Sequence, residues 1–313
     1  MSVLRITFLG TAGAAPTIRR GLAATAIRAW SDRLLIDCGE GTQRQMLRYG
    51  TGFKVDRILF THFHADHYLG IIGFLRTLAM SERTEPLVLQ GPSPDVERSL
   101  MKAIHLGWRE YQFPISIENV APDQVIERGD YLIRVVAADH RKSAVGYSIE
   151  EPPRPGRFHP EAATALGVRP GPQFGVLQRG EKVEVSPGRW IMPSQVMDPP
   201  RPGRKVVFSG DTRPCREVVE ASRGADVLVH EATFSDIEKD RALETMHSTA
   251  REAGEVAAEA GVGKLVLTHI SSRYDAQTEI LAEEARSVFQ GEVIVAEDGM
   301  RMEVGYREDS SEE

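Results

Sequence analysis

Thr61-His62-Phe63-His64-Ala65-Asp66-His67 places three imidazoles and one carboxylate in a short stretch that directly follows an apolar run. Histidine is a common zinc ligand, and a mixed His/Asp cluster at the end of a strand is typical of a catalytic metal site. His62 and His64 are two residues apart, so both rings are expected on one side of an extended chain. Asp66 and His67 follow where that chain is expected to turn into a helix, and they can therefore face a second ion.

Other apolar runs end in the same way, with a small or polar residue followed by a candidate ligand. Residues 57–62 and 264–269 match in character at each position, and residues 205–211 deliver an aspartate in the same manner. Short apolar runs bounded by turn signals fit buried strands. A single histidine beside a strand more often packs in the core or lies on the surface, but the joint set favours ligation. The further candidate ligands are His140, Asp211 and His269.

One aspartate that bridges both ions would complete two sites of about four protein ligands each. Two divalent ions together with the carboxylates of Asp66 and Asp211 leave a positive centre. Such a centre suits an anionic phosphodiester and its transition state, without excluding esters or amides.

The composition limits the class of protein. The chain has 313 residues, of which 41% are hydrophobic, so it can bury a large core as a globular protein. The first residues lack the apolar region of a signal peptide, and the apolar runs are too short to span a membrane, which predicts a cytoplasmic protein without a membrane partner. The two cysteines, Cys38 and Cys215, offer neither a disulfide framework nor a Cys-rich zinc site.

The net charge of −7 argues mildly against a nucleic-acid partner, because phosphate binding normally needs an excess of Lys and Arg. The charge is unevenly distributed, however. Residues 308–313 form an acidic tail that we expect to be disordered, whereas residues 152–205 contain nine basic and four acidic residues. An anionic partner is therefore expected to meet the basic segment.

Helical and strand patterns alternate along the chain, which predicts an α/β fold. Helices are predicted over residues 42–49, 67–79, 94–106 and 250–260, and antiparallel strands over 131–138 and 144–149. The likeness between the two halves predicts a duplicated sheet-helix unit whose sheets meet face to face. Functional side chains would then gather on loops at one end of the sheets.

Residues 152–203 interrupt this pattern with clusters of Pro, Gly and Arg. A long segment of this kind inside a compact domain is usually functional or disordered. We expect a flexible, projecting arm inserted into one domain that spans residues 1–313. Some local order is expected near residues 174–177 and 182–185.

Three more polar residues lie near predicted strand or helix ends. His247 precedes the helix predicted from Ala250, and its imidazole is a candidate proton donor to a leaving oxygen. Glu231 ends another apolar run and is a candidate to orient a nearby imidazole. The neighbouring His230 is explained at least as well by a structural role.

The chain resembles the metallo-β-lactamase superfamily at His62 to His67, at Asp37-Cys38-Gly39-Glu40-Gly41, and at His140, Asp211 and His269. This resemblance implies an αββα sandwich with a dinuclear zinc site, in a superfamily that includes lactamases, thioesterases and nucleases. The ribonuclease Z family is resembled more narrowly, at Leu9 to Gly13, Ser209 to Thr212, His230 to Thr233, His247 to Thr249 and the Gly171-Pro172 arm.

By this resemblance, the chain is expected to be a zinc-dependent endoribonuclease that cuts the 3′ trailer from precursor tRNA through attack by metal-activated hydroxide. It would leave a 3′-hydroxyl on the tRNA and a 5′-phosphate on the trailer. Asp66 would orient or deprotonate the attacking water, and His247 would assist the leaving 3′ oxygen. One of two Zn²⁺ ions per subunit would be held by His62, His64 and His140, the other by Asp66, His67 and His269, and Asp211 would bridge them.

The resemblance also implies partners. The arm that contains Gly171 and Pro172 resembles the family's exosite, which grips tRNA from the partner subunit of a homodimer. No organic cofactor is expected. Family members that spare CCA-ended tRNA often carry Pro-x-Lys-x-Arg-Asn, whereas residues 16–21 read Pro-Thr-Ile-Arg-Arg-Gly, so the same end-selectivity is not predicted. Candidate RNA contacts outside the arm are Arg19, Arg20, Ser272 and Arg273.

Two alternatives remain open at the level of sequence. One is a less specific phosphodiesterase or a thioesterase-type hydrolase, and the other is an RNA-binding protein with a structural metal site. Removal of the arm distinguishes the first, because only a tRNA-processing enzyme would lose precursor tRNA while keeping a small phosphodiester. The second would bind tRNA without turnover.

Overall fold

The computed structural model describes residues 4–106, 111–140 and 143–306, so the acidic tail predicted over 308–313 lies outside the described residues. The strands are β1 Leu4–Gly10, β2 Ala12–Gly13, β3 Ala24–Ala29, β4 Asp32–Ile36, β5 Arg57–Leu59, β6 Leu87–Pro92, β7 Ile115–Val120, β8 Val125–Glu127, β9 Leu132–Ala137, β10 Val145–Glu150, β11 Val183–Ser186, β12 Arg189–Ile191, β13 Lys205–Phe208, β14 Val227–Glu231, β15 Lys264–Thr268, β16 Ile270–Ser271, β17 Glu292–Val295 and β18 Arg301–Glu303. The helices are α1 Thr42–Arg48, α2 Ala65–Tyr68, α3 Ile71–Met80, α4 Asp95–His105, α5 Pro160–Ala165, α6 Pro172–Gln178, α7 Arg216–Ser222, α8 Lys239–Thr245, α9 Ala250–Ala260 and α10 Glu279–Arg286.

Two mixed sheets face each other across a shared core. The first has the strand order β18-β1-β3-β4-β5-β6-β7 and the second β17-β15-β14-β13-β10-β9-β8. Apolar side chains of both sheets fill the space between them, among them Phe8, Ile36, Tyr147 and Phe208. Helices α1, α3 and α4 cover the outer face of the first sheet, and α7, α9 and α10 cover that of the second. These four layers are an αββα sandwich and confirm the predicted fold class.

Parallel pairing brings the functional loops together. In the first sheet β4, β5 and β6 are parallel, and in the second β13, β14, β15 and β17 are parallel. Their apolar runs are buried on both faces, because helices cover one face and the other sheet covers the opposite one. The carboxyl ends of parallel strands lie at the same edge of a sheet, so the residues that follow them are neighbours.

Helix α9 begins and ends where the sequence predicted. The Thr249 side chain accepts a hydrogen bond from the backbone N–H of Glu252, whose carboxylate in turn accepts one from the Thr249 backbone. This reciprocal cap satisfies two N–H groups that the helix leaves without an internal partner. Gly261 ends the helix in the left-handed region at φ 63°.

The single helix predicted over residues 67–79 was wrong, because the structure contains two helices, α2 and α3, with Gly70 between them. A Cβ at Gly70 would lie 1.9 Å from the backbone oxygen of Gly39, so only glycine permits this approach. The backbone N–H of Cys38 also donates to the carbonyl of His67 at 2.7 Å. The loop after β4 thus holds α2 in place.

Residues Glu151–Gly203 form a second compact unit. It contains α5, α6 and the β11–β12 hairpin around a small apolar cluster of Ala163, Val168, Leu177, Val183, Ile191 and Val196. The order expected near 174–177 and 182–185 coincides with α6 and β11. Arg154 and Arg201 close the base of the unit through two backbone hydrogen bonds of 2.8 Å.

Cys38 and Cys215 are free thiols. Across the described ranges, each helix is too short or too polar to cross a membrane.

Candidate metal centre

Seven potential ligands follow the carboxyl ends of strands in the two sheets, at the edge where parallel strands end. In the first sheet, His62 and His64 follow β5, and Asp66 and His67 lie on the short helix α2. In the second sheet, the corresponding residues follow β9, β13 and β15. These are His140, Asp211 and His269.

Four of these side chains form a first donor group. One ligand atom from each of His62, His64, His140 and Asp211 lies within 4.8 Å of the others. His62 Nε2 is 2.9 Å from His64 Nδ1, and His140 Nε2 is 3.3 Å from the same His64 atom. Asp211 Oδ2 lies 3.5 Å from His62 Nε2. Four potential ligand atoms this close together could hold one metal ion.

Asp66, His67 and His269 form a second donor group on the same criterion. His67 Nε2 is 3.2 Å from His269 Nε2, and Asp66 Oδ2 is 3.4 Å from that atom. Asp211 Oδ2 lies 3.3 Å from His67 Nε2 and 3.5 Å from His269 Nε2. The same Asp211 oxygen therefore adjoins both groups and is placed to bridge two ions.

The far nitrogens of three rings are held by other groups. His67 Nδ1 donates to Asp37 Oδ2 at 2.8 Å, and His140 Nδ1 donates to the carbonyl of Met246 at 2.7 Å. His269 Nδ1 lies 2.8 Å from Thr233 Oγ1. In a neutral ring, a proton at Nδ1 leaves Nε2 free to bind a metal, and such partners also fix the ring orientation.

Burial and charge set the protonation of the ligands. Burial is the largest influence on the pKa of His62 and lowers it well below the usual range, and burial lowers the pKa of His140 as well. Both rings are therefore neutral. Burial alone would raise the pKa of Asp211, but the charges of His269 and His67 outweigh it and keep this carboxyl ionised.

These residues fit a pair of divalent ions. The donors are imidazoles and carboxylates, the set used by zinc, and each group provides four of them when Asp211 is counted in both. The donor atoms of the second group are 3.2–3.6 Å apart. This separation is long for strong hydrogen bonds between them, but it suits ligands that surround one ion.

His247 stands beside both donor groups in the loop between α8 and α9. Its Nδ1 lies 2.8 Å from Glu231 Oε1 and 3.9 Å from Asp211 Oδ2. Burial lowers the pKa of His247, but the charge and hydrogen bond of Glu231 outweigh burial and raise it to about 9. His247 could also form a donor group with Asp211 and His269. Because Glu231 occupies Nδ1, a role in proton transfer fits the geometry better than ligation.

Glu231 is 1% exposed and has four hydrogen-bond donors around its carboxylate. Oε1 accepts from the Thr212 backbone at 3.1 Å and from His247, while Oε2 accepts from the Thr233 backbone at 3.1 Å and hydroxyl at 2.6 Å. Since the Thr233 hydroxyl gives its one proton to Glu231, it accepts from His269. A single hydrogen-bonded chain therefore joins His247 to His269. His230 is fully buried and its Nδ1 donates to the Glu231 carbonyl.

The four residues predicted to contact RNA outside the arm differ in their exposure to solvent. Arg19, Ser272 and Arg273 are exposed, and a hydrogen bond of 2.9 Å from Thr17 Oγ1 to Asp275 Oδ1 joins their two loops. Arg20, by contrast, is 5% exposed, and its guanidinium donates to Thr11 Oγ1 at 2.6 Å and to the Ala296 carbonyl. The predicted phosphate contact of Arg20 therefore does not match the structure, in which this side chain holds the N-terminal loop in place.

Gly171 and Pro172 lie at the start of α6 in the second compact unit and are exposed. Gly171 has φ 115°, a conformation that favours glycine. Pro172 occupies the first helical position, where its missing N–H costs nothing.

Two residues of the centre were not predicted from sequence as partners of ligands. Asp37 accepts from the His67 ring and from the Thr61 backbone at 2.8 Å, and Thr233 contacts His269. Each directly follows or closely succeeds a buried strand, in the same way as the ligands themselves. This position after a strand could have marked both residues as candidates for the centre, but it does not indicate which imidazole each of them contacts.

Comparisons with known proteins agree with this geometry. Residues 23–178 match the profile described as "Metallo-beta-lactamase superfamily", and residues 178–270 match "Beta-lactamase superfamily domain". Ribonuclease Z of Myxococcus xanthus is 55% identical over 308 residues, covering 98% of this chain and 100% of the relative. Ribonuclease Z of Haloferax volcanii is 49% identical, covering 97% and 96%.

A solved structure of human tRNase Z, short form, superposes with a TM-score of 0.67 at 25% identity and covers 95% of this chain and 98% of its own. The Myxococcus xanthus and Haloferax volcanii relatives are 55% and 49% identical to this chain over almost its whole length. The chain therefore belongs to the ribonuclease Z family of metal-dependent endoribonucleases, within the metallo-beta-lactamase superfamily.

Proposed function

We propose that this chain removes the 3′ trailer from precursor tRNA and uses two Zn²⁺ ions to do so. The observation that carries the proposal is the placement of His247, held by Glu231 at 2.8 Å, beside two donor groups that share Asp211. A proton donor next to a two-metal site is what cleavage of a phosphodiester with an alkoxide leaving group requires. The relatives named ribonuclease Z support the same reaction.

In this proposal each ion takes three ligands of its own and shares Asp211. The bound ions would supply positive charge for the phosphate and lower the pKa of water toward about 7. The first ion is assigned to His62, His64 and His140, and the second to Asp66, His67 and His269.

The proton transfers fall to two residues. Asp66 Oδ2, which accepts the Ala14 backbone N–H at 2.8 Å, orients the attacking water and takes its proton as oxygen bonds to phosphorus. The bond between phosphorus and O3′ breaks, and His247 gives its proton to O3′. The products are a tRNA with a 3′-hydroxyl and a trailer with a 5′-phosphate.

The second compact unit, Glu151–Gly203, is proposed as the tRNA-binding arm, with Gly171 and Pro172 at its exposed helix start. Its charge supports this less strongly than the sequence suggested. Arg204 and Lys205 lie outside the unit and Glu151 inside it, so nine basic and four acidic residues become seven and five. Arg204 is 4% exposed and stacks on Trp30. The arm would therefore hold tRNA by shape and local contacts more than by net charge.

Arg19, Ser272 and Arg273 are proposed to contact RNA near the cleavage site, because all three are exposed on loops joined by the bond between Thr17 and Asp275. A homodimer, in which the arm of one subunit serves the other, is part of the same proposal. So is a cytoplasmic location, since free thiols at Cys38 and Cys215 suit a reducing compartment.

The direct test uses purified, zinc-loaded protein and two 3′-extended precursor tRNAs, one encoding CCA and one lacking it. We expect a cut after the discriminator base of the CCA-less precursor, with a 3′-hydroxyl and a 5′-phosphate at the new ends. His64→Ala should lose zinc and cleavage while binding tRNA within a few fold. Failure to cut either precursor, or cleavage by the metal-free protein, would refute the proposal.

The arm is tested by replacing residues 155–200 with an Asn-Gly turn. Arg154 and Arg201 already pair as an antiparallel bridge, so a two-residue turn can close them. Cleavage of precursor tRNA should fall steeply, while hydrolysis of bis(4-nitrophenyl) phosphate stays within a few fold. Equal loss on both substrates would count against a tRNA-binding arm and indicate damage to the catalytic unit.

A further inference from the structure

A cavity of about 240 Å³ opens on the outer face of the first sheet, beside the loop that follows α1. Its basic lining consists of Arg5, Arg28, Arg33, Lys54 and Arg301. None of the described residues that line it is acidic. The cavity is therefore strongly basic, although the chain as a whole has a net charge of −7.

The cavity lies at the end of the sheet opposite the metal centre. Arg33 is near the start of β4, whereas Asp37, which holds His67, follows the end of that strand. Four residues of extended chain separate them by about 13 Å. The two sites are therefore distinct, and the ligands of the proposed metal ions do not reach the cavity.

Three of the arginines form a row across neighbouring strands. Arg5 of β1 is paired in register with Arg28 of β3, and Arg28 is paired with Arg33 of β4. Like charges directly opposite each other on a sheet are destabilising. Glu303, which is paired in register with Arg5, offsets the charge at one end of the row, whereas the juxtaposition of Arg28 and Arg33 is a cost to the fold unless a further anion offsets it.

Two of the five cations are already engaged. Arg5 Nε donates to Glu303 Oε1 at 2.9 Å, and the Arg301 guanidinium donates to the Tyr49 carbonyl. For the side chains of Arg28, Arg33 and Lys54, the described parts of the chain provide no hydrogen-bond or ion-pair partner. Two arginines and one lysine without such a partner thus line one small cavity.

The remaining lining defines the ligand further. Thr7 and Thr51 add hydroxyl groups, and Ala26, Met46 and Val55 provide an apolar floor. Guanidinium groups match the paired oxygens of phosphate, and about 240 Å³ has room for one or two phosphate groups but not for a whole nucleic-acid strand. We propose that this cavity binds a small phosphate-bearing anion, separately from the catalytic centre.

The test is calorimetric titration of the zinc-loaded protein with inorganic pyrophosphate, with zinc content checked afterwards. Three proteins are compared: the wild type, the Arg28→Ala/Arg33→Ala double variant, and His64→Ala, in which the metal centre is disrupted. The double variant loses two charge-assisted contacts, and the loss of even one hydrogen bond to a charged group raises Kd about tenfold or more. Pyrophosphate binding at the cavity should therefore weaken at least tenfold. His64→Ala should retain it.

Controls separate this result from general charge effects. Arg216→Ala/Arg251→Ala removes the same charge from an exposed position on α7 and a half-buried one on α9, and it should leave binding unchanged. If the double variant folds poorly, Lys54→Ala replaces it in the test. Lys54 lies on a loop, and its substitution should weaken pyrophosphate binding severalfold. The double variant should otherwise unfold at the same temperature as the wild type or higher, because it relieves the repulsion within the row.

Other outcomes would overturn the proposal. If the wild type binds no pyrophosphate, or if the double variant binds it equally well, the cavity is not an anion site. Binding that is lost only in His64→Ala would assign pyrophosphate to the metal centre. If the double variant raises KM for precursor tRNA more than threefold without added anion, the cations serve the RNA backbone and not a free anion.

Discussion

Substitution of His247 by alanine should reveal whether this residue supplies the proton for the leaving 3′ oxygen. General acid catalysis contributes about 10²–10⁴-fold to a rate, equivalent to roughly 3–5 kcal/mol. We therefore expect His247→Ala to lower kcat on precursor tRNA by about 10²–10⁴-fold. KM should change by only a few fold, because the side chain acts on the leaving group.

A change of substrate isolates the proton transfer. Bis(4-nitrophenyl) phosphate releases 4-nitrophenolate, which leaves without being protonated. On this substrate His247→Ala should lose less than about threefold, since the acid contributes little to a good leaving group. His105→Ala, at an exposed position on α4, is the matched control and should be silent on both substrates. Equal losses on RNA and on the chromogenic diester would refute the role of His247 as an acid.

Glu231 should act through His247. Glu231→Gln removes the charge that accepts the His247 Nδ1 proton at 2.8 Å. A hydrogen bond to a charged group is worth about 1.5–3 kcal/mol, so kcat on RNA should fall roughly 10- to 160-fold.

In the His247→Ala background the same Glu231→Gln change should cost little more, because its target is already absent. Zinc content and unfolding temperature should be measured in each variant. A double variant that loses the full product of both single effects, with zinc retained, would contradict this coupling.

Two further outcomes are expected. Asp37→Asn places an N–H donor toward either the His67 ring or the Thr61 backbone, where a carboxylate oxygen now accepts. Zinc affinity, measured by competition with a chelator, should therefore fall about 10- to 100-fold. Unchanged affinity would contradict the importance of this contact. Gly70→Ala places a Cβ 1.9 Å from the Gly39 carbonyl oxygen and should lower the free energy of unfolding by about 1–3 kcal/mol. Gly305→Ala is the control and should be neutral, because a Cβ there would meet no atom within 4 Å. Equal unfolding temperatures for the two variants would count against this packing constraint.

The sequence was sufficient to predict which side chains gather at the candidate metal centre, because these residues occupy a repeated local pattern. Each follows an apolar run that folds as a buried strand, and parallel strands end at a common edge. The distance between His62 in one half of the chain and His269 in the other is then fixed by the sandwich itself. A local pattern and one rule of sheet geometry thus brought distant residues together.

Contacts that depend on side-chain direction could not be predicted in this way. Asp37 contacts His67, and Thr233 lies between His269 and Glu231. Both contacts depend on the conformation of the loops, including the positive φ of Asp37 and of His269. Arg20 shows the same limit. A basic residue in a loop near the active site suggests an RNA contact, but its guanidinium is buried against Thr11 and Ala296.

The chain of hydrogen bonds through Glu231 has a consequence for how the centre works as a unit. Thr233 can accept from His269 only while it donates to Glu231, and Glu231 can hold His247 only while it remains a carboxylate. A ligand of the second donor group and the proposed proton donor therefore depend on the same buried charge. A change at Glu231 that disturbs His269 as well as His247 would reduce zinc retention and leaving-group protonation together. Thr233→Val would break the chain toward His269 and spare His247, so the two effects can be separated by measuring zinc affinity and the ratio of RNA to chromogenic activity in the same protein.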